Sequence, residues 1–322
     1  MDLEDRSFHI QNSPVMFLSV QYWNAIDNQL TITQSIFKGS TLDIRLTDLK
    51  NITLLIEISE NVFISSRWNA IIIYLHADQS TATAHIRNCL VIGSMGSGLH
   101  FELGQNHSKL QLTIESSIIV GNIATYNFEG GAGMTVYRTP EAQEPIISIR
   151  NVSFLSNKKY GKMHSAIIAL YYANHVTFTD CKFHGNRGTA IGAYQSTFYV
   201  SGNNSFVNNT ATEGGAVALL DNSCMFIQNN TEILFLNNYA DNVGGAIFVH
   251  TILAFDIRFY AQIKYPVISL SNHGLIANIT LIFTNNTGRN GGDVANIQCT
   301  TLHDYTRYPF TLACIGWLLA GP

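Results

Sequence analysis

Chemistry in this chain would have to start from its acids, cations, imidazoles and thiols, and few of them are grouped. "FDIRF" (Asp256, Arg258), then Lys264, then Asn272-His273-Gly274, supplies a carboxylate, two cations and an imidazole within a short stretch, the ingredients of a polysaccharide-cleaving site. Such cleavage needs two or three carboxylates within several ångströms, or acids that hold a cation beside a base able to take a proton. Paired aspartates are missing there, and the one adjacent acidic pair, Glu4-Asp5, stands at the start of the chain. We assign no catalytic residue.

Metal and thiol chemistry fare no better. In "DCKFHGN", Asp180 and His184 would point to one side of a strand and Cys181 to the other, so the three do not converge. The 11 histidines form no His-x-His or His-x-x-x-His set, and the 5 cysteines (Cys89, Cys181, Cys224, Cys299, Cys314) show no Cys-x-x-Cys spacing. No metal site and no cofactor is expected. An odd cysteine count leaves at least one free thiol, while Cys299 and Cys314 are spaced to close a small loop in an oxidising compartment. "EGGAGM" and "VGGAIF" precede strand patterns rather than helices, so they are not phosphate-binding loops.

Asn-x-Ser/Thr occurs at Asn51, Asn106, Asn151, Asn203, Asn208, Asn229, Asn278 and Asn285. These are candidate glycosylation sites and favour an extracellular or cell-surface location, although a chain this rich in Asn generates several by chance. With 18 Lys+Arg against 22 Asp+Glu there is no electrostatic footprint for nucleic acid.

The elements that would position any site are written as a repeat. "FVNNTATEGGAVAL" from Phe206 returns as "FLNNYADNVGGAIFV" from Phe235 and, worn, as "FTNNTGRNGGDVAN" from Phe283. Strong Phe-x-x-Asn copies stand at Phe154/Asn157, Phe183/Asn186, Phe206/Asn209, Phe235/Asn238 and Phe283/Asn286; weaker ones at Phe37/Ser40, Phe63/Ser66, Val91/Ser94 and Ile119/Asn122 precede them. The step of 48 between Phe235 and Phe283 is twice 24, and Phe259/Gln262 fills the gap, giving ten anchors. Short alternating segments bounded by Asn, Gly and Ser read as strands, and no stretch keeps a helical period. A period of about 27 residues made of strands alone is one coil of a parallel β-solenoid. Phe then stacks on Phe, the Asn three residues on sits in a left-handed turn and bonds its counterpart in the next coil, and the Gly pairs (Gly214-Gly215, Gly244-Gly245) make corners where coils approach closely. The 35-residue step containing "VYRTPEAQEP" is the longest left, so Glu141 and Glu144 are the acids a protruding-loop site would use.

The pairing of Phe-x-x-Asn with Gly-Gly-Ala-(Ile/Val) over about 150 to 296 resembles the repeat of the chlamydial polymorphic outer-membrane proteins and similar invertebrate β-helix proteins. That resemblance implies a right-handed single-stranded parallel β-helix, displayed outside the cell, with an adhesive or structural role.

The expected organisation is an N-terminal cap or solenoid start over 1–30, a β-helix of about ten coils over 31–296, and a C-terminal cap or truncated continuation over 297–322. "MDLEDRSFHI" is acidic where a secretory leader is basic, and "FTLACIGWLLA" is about half the length of a membrane span, so no export signal or span is expected within a chain that is part of a larger protein. The expected function is non-catalytic display of surfaces to glycans or protein partners. The alternatives are a polysaccharide lyase or glycoside hydrolase, and an intracellular scaffold.

Overall fold

The computed structural model describes residues 28–250 apart from 105–107, 126–129, 162–164 and 229, together with the flanking segments 2–3, 8–15, 18–22, 267–270, 279–290, 294–296 and 311–312. Among these residues every regular element is a strand, and no helix is long and apolar enough to cross a membrane. The chain winds as a right-handed parallel β-helix with three faces. Sheet A has 11 strands, from Asp2–Leu3 to Val294–Asn296; sheet B has 11, from Phe8–Gln11 to Thr311–Leu312; sheet C has 10, from Pro14–Val15 to Ile279–Thr284. All pairings are parallel except the last in sheet B, where Thr311–Leu312 runs antiparallel to Val267–Leu270.

Alternation decides which side chains enter the core. In Thr53–Ser59, Leu54, Ile56 and Ile58 are buried while Thr53, Leu55 and Glu57 face outward. The sheet C anchors form one internal column. Ring centroids of Phe154 and Phe183 are 5.3 Å apart, Phe183 and Phe206 4.6 Å, Phe206 and Phe235 5.1 Å, and Phe235 and Phe283 4.7 Å, all nearly parallel. Earlier in the chain Phe37 stacks on Phe63 at 4.5 Å, and Val91 and Ile119 continue the column toward Phe154.

Phe235 pairs directly with Phe283, so the 48-residue step is a single coil carrying an insertion, and Phe259/Gln262, which lie outside the described residues, cannot anchor a coil between them. The tenth sheet C position is instead Val15, in register with Phe37. The insertion also makes this coil, rather than the one carrying Glu141 and Glu144, the longest.

The turn departs from expectation by one position, and the ladder Asn is not its left-handed residue. The left-handed residue is the one before the ladder position: Ser156 (φ 51°), Gly185 (64°), Asn208 (56°), Asn237 (53°) and Asn285 (52°). The ladder residues Asn157, Asn186, Asn209, Asn238 and Asn286 are buried. Each donates its side-chain N–H to the carbonyl of an anchor in the preceding coil, as Asn209 Nδ2 does to Phe183 O at 3.0 Å and Asn238 Nδ2 to Phe206 O at 2.9 Å. A second buried ladder turns the corner from sheet B to sheet C, where Ser35 N bonds Asn61 Oδ1 (2.8 Å) and Cys181 N bonds Asn204 Oδ1 (2.9 Å).

At the corner from C to A, Gly214 (φ 58°) and Gly244 (φ 66°) take left-handed angles. A Cβ on Gly215 would lie 2.3 Å from Gly245 O, so no larger residue fits between those coils.

Candidate binding face

The polar and aromatic side chains come together on the outside of sheet A. One outward column runs Arg45, Tyr74, Glu102, Tyr137, Tyr171, Tyr194 and Leu220, each in register with the next. Beside it runs Asp43, Ile72, His100, Thr135, Ala169, Gly192 and Ala218. The second column is buried apart from Gly192, and Leu220 and Ala218 pack with Val243 and Phe248, so the accessible face is the six rungs of the first column from Arg45 to Tyr194, about 24 Å long.

Its N-terminal half is polar. Arg45 grips Asp43 through Nε (2.9 Å to Oδ1) and Nη2 (2.9 Å to Oδ2), and its guanidinium lies 4.6 Å from the centroid of Tyr74. Glu102 sits between two imidazoles, with Oε2 3.4 Å from His100 Nε2 and Oε1 3.2 Å from His76 Nε2. These neighbours, His100 first and His76 second, hold its carboxyl down at about 2 against the cost of partial burial. Gly104 leaves the space that the His76 ring occupies, since a Cβ there would lie 2.8 Å from it.

The C-terminal half is aromatic. Tyr137, 38% exposed, lies 6.1 Å from Tyr171, and Tyr171 lies 6.2 Å from Tyr194, all tilted. Tyr172 stands edge-on to both Tyr137 (6.4 Å) and Tyr194 (5.8 Å) and locks the row. A hydrogen bond to Asp221, then burial, pushes the Tyr194 hydroxyl up to about 12. Trp68, 70% exposed, stands at the corner leading into the coil of Tyr74.

Glu141 and Glu144 do not form a loop site. Arg138 bonds Ala142 O (2.6 Å) and Tyr172 O (2.5 Å) and pairs with Glu144 Oε1 at 2.8 Å, while Asn174 Nδ2 donates to the same oxygen at 2.7 Å. Glu144 thus fastens its loop to the next coil, and Glu141 is exposed. Asp180 accepts from Asn203 N (2.8 Å) at a turn, Cys181 is buried and His184 is exposed, so these three point apart.

Cys89, Cys181 and Cys224 are buried, and burial pushes the Cys89 thiol up to about 11 and that of Cys181 to about 12. Among the described residues no group of three or more His, Cys, Asp or Glu is arranged to hold a metal ion. The described sequon asparagines Asn51, Asn151, Asn203, Asn208 and Asn285 are all exposed. Asn106, Asn229, Asn278, Glu4-Asp5, Asp256, Arg258, Lys264, Asn272, His273, Cys299 and Cys314 lie outside the described residues.

Sequence reasoning missed the sheet A face because its members are brought together by register rather than by local spacing. The steps from Arg45 to Tyr74, Glu102, Tyr137, Tyr171 and Tyr194 are 29, 28, 35, 34 and 23 residues. Aligning the coils on their anchors and reading the outward position of "LDIRL", "IIYLH", "LHFEL" and "MTVYR" would have found it.

No curated protein matches the chain. A family model described as "Right handed beta helix region" matches residues 72–260 and again 136–292. The first match alone spans 189 of the 322 residues, and we conclude that the chain belongs to this right-handed β-helix family.

Proposed function

We propose that the chain is a non-catalytic, extracellular display module whose sheet A face holds a glycan along the solenoid axis. The observation that carries this reading is the tyrosine column Tyr137, Tyr171 and Tyr194, buttressed by Tyr172. Tyrosine offers a large, stiff, amphipathic ring at low entropic cost, which suits the apolar faces and hydroxyl edges of sugars. At the polar end Arg45 supplies donors, and Glu102, steadied by the two imidazoles, supplies an acceptor for hydroxyls. The exposed sequons support an extracellular setting, and none of those described lies on sheet A.

Each ring is expected to contribute about 0.5–1.5 kcal/mol. Tyr137→Ala or Tyr171→Ala should therefore weaken retention on neutral glycans roughly two- to twelve-fold. Retention that is unchanged in both variants would remove this face from consideration.

Glu102 between two imidazoles favours a second reading, a polysaccharide-active enzyme. A carboxylate held at about 2 is ionised but weakly basic, and it is the opposite of the raised acid that protonating a leaving group requires.

A further inference from the structure

Away from sheet A, two successive coils carry an isolated group of cations. Lys182 and His184 point outward from the sheet C strand Lys182–His184, with Phe183 turned inward between them. Lys158 and Arg187 are paired across adjacent rungs at the corner that follows. Lys158, Lys182, His184 and Arg187 are all exposed, and Arg187 is steadied 5.5 Å from the Tyr160 ring centroid.

What sets the group apart is the absence of compensation. In register with Lys182 are Ile118, Ser153, Ser205 and Leu234; with His184, Val120, Leu155, Val207 and Leu236; with Arg187, Ile123, Lys158, Thr210 and Tyr239. No carboxylate stands in these columns within two rungs on either side. The nearest acid along the chain, Asp180, is turned to the Asn203 N–H at 2.8 Å. Among the described residues Lys158, Lys182 and Arg187 make no ion pair, in a chain whose formal net charge is -4. The patch is therefore local, not a sample of a basic surface.

We infer that Lys158, Lys182 and Arg187, with His184, form a second binding surface, specific for a polyanionic polysaccharide bearing sulfate or carboxylate groups. Cations repeated at rung spacing match charges repeated along a polymer, and the neighbouring serines and threonine offer hydroxyl partners. Beside the patch the Tyr160 ring is covered by Arg187 and the exposed Tyr239 stands two rungs from Arg187, so the described rings form no row on which successive bases could stack, and this favours an anionic glycan over single-stranded nucleic acid. The inference deepens the glycan reading but rests on different residues, so neutral and anionic ligands report on the two surfaces separately.

The test uses the full chain made in a non-glycosylating host, because sequon residue Asn208 lies one rung from Gly185, beside the patch. Binding is measured to heparin oligosaccharides, polygalacturonate, neutral dextran and a single-stranded oligonucleotide across a salt series. Heparin or polygalacturonate should bind more tightly than dextran or the oligonucleotide, and heparin alone would assign the site to sulfate. The triple variant K158S/K182S/R187S should lose about tenfold or more in affinity with a shallower salt dependence. K38S/R87S/K109S, which removes equal charge elsewhere, should lose less than about twofold. The proposal is overturned if neither polyanion binds, if the two triple variants lose affinity equally, or if the oligonucleotide binds most tightly. Loss of anionic binding in K158S/K182S/R187S should leave neutral-glycan retention intact.

Discussion

Asn209 completes four hydrogen bonds with one side chain. Its Oδ1 accepts from Asn186 N (3.2 Å) and Asn186 Nδ2 (2.9 Å), and its Nδ2 donates to Phe183 O (3.0 Å) and Asn238 Oδ1 (2.9 Å). Replacing it by Ala strands a buried N–H and a buried C=O, each costing about 1–3 kcal/mol. Asn209→Ala should therefore destabilise by at least about 2 kcal/mol in denaturant titration, and a midpoint shift near zero would contradict the ladder. Glu102 makes a pH-dependent counterpart. Its carboxyl is lowered from 4.5 to about 2, so the folded state favours the ionised form. The stability this confers is complete above the unfolded value and is lost as pH falls through the window toward 2. Wild type should melt above Glu102→Gln near neutral pH, and the gap should close as pH is lowered from about 4.5 toward 2. A gap that does not change with pH would show that Glu102 is not held by the two imidazoles.

The Phe column and the Asn ladder act together within each coil, because the same turn sends the ring inward and aligns the amide with its neighbour one rung away. Phe235 stacks between Phe206 and Phe283, so Phe235→Ala should cost about 3–5 kcal/mol. Equal thermal melting of that variant and wild type would place the ring outside the core. At this scale the repeat was legible, since Phe, Asn and Gly-Gly recur in order. Which Asn of the Asn-Asn pair takes the left-handed angle was not, because both residue types tolerate it and only burial separates Asn208 from Asn209. The 48-residue coil was misdivided because its length is close to two ordinary periods, and only the direct Phe235–Phe283 stack removes the ambiguity. The sheet A face stayed hidden for a related reason: insertions between coils scramble sequence spacing while leaving register intact.

Across the whole molecule, the three sheets divide the surface by chemistry. Sheet A carries the single column that holds Glu102 and the tyrosines, the corner from C to A carries the Lys158/Arg187 patch, and four of the five described sequons sit at corners while Asn203 begins a sheet C strand. A stack of ten sheet C strands is a rigid rod roughly 45 Å long, and rigidity lets separate columns meet one extended polymer without an ordering cost in the protein. Such a rod is proposed to hold a glycan without cleaving it. The most direct measurement incubates the full chain with an array of neutral and acidic polysaccharides and scores each for retention and for new reducing or unsaturated ends. Retention without product is the predicted result, and formation of new chain ends by wild type that stops in Glu102→Gln would contradict it.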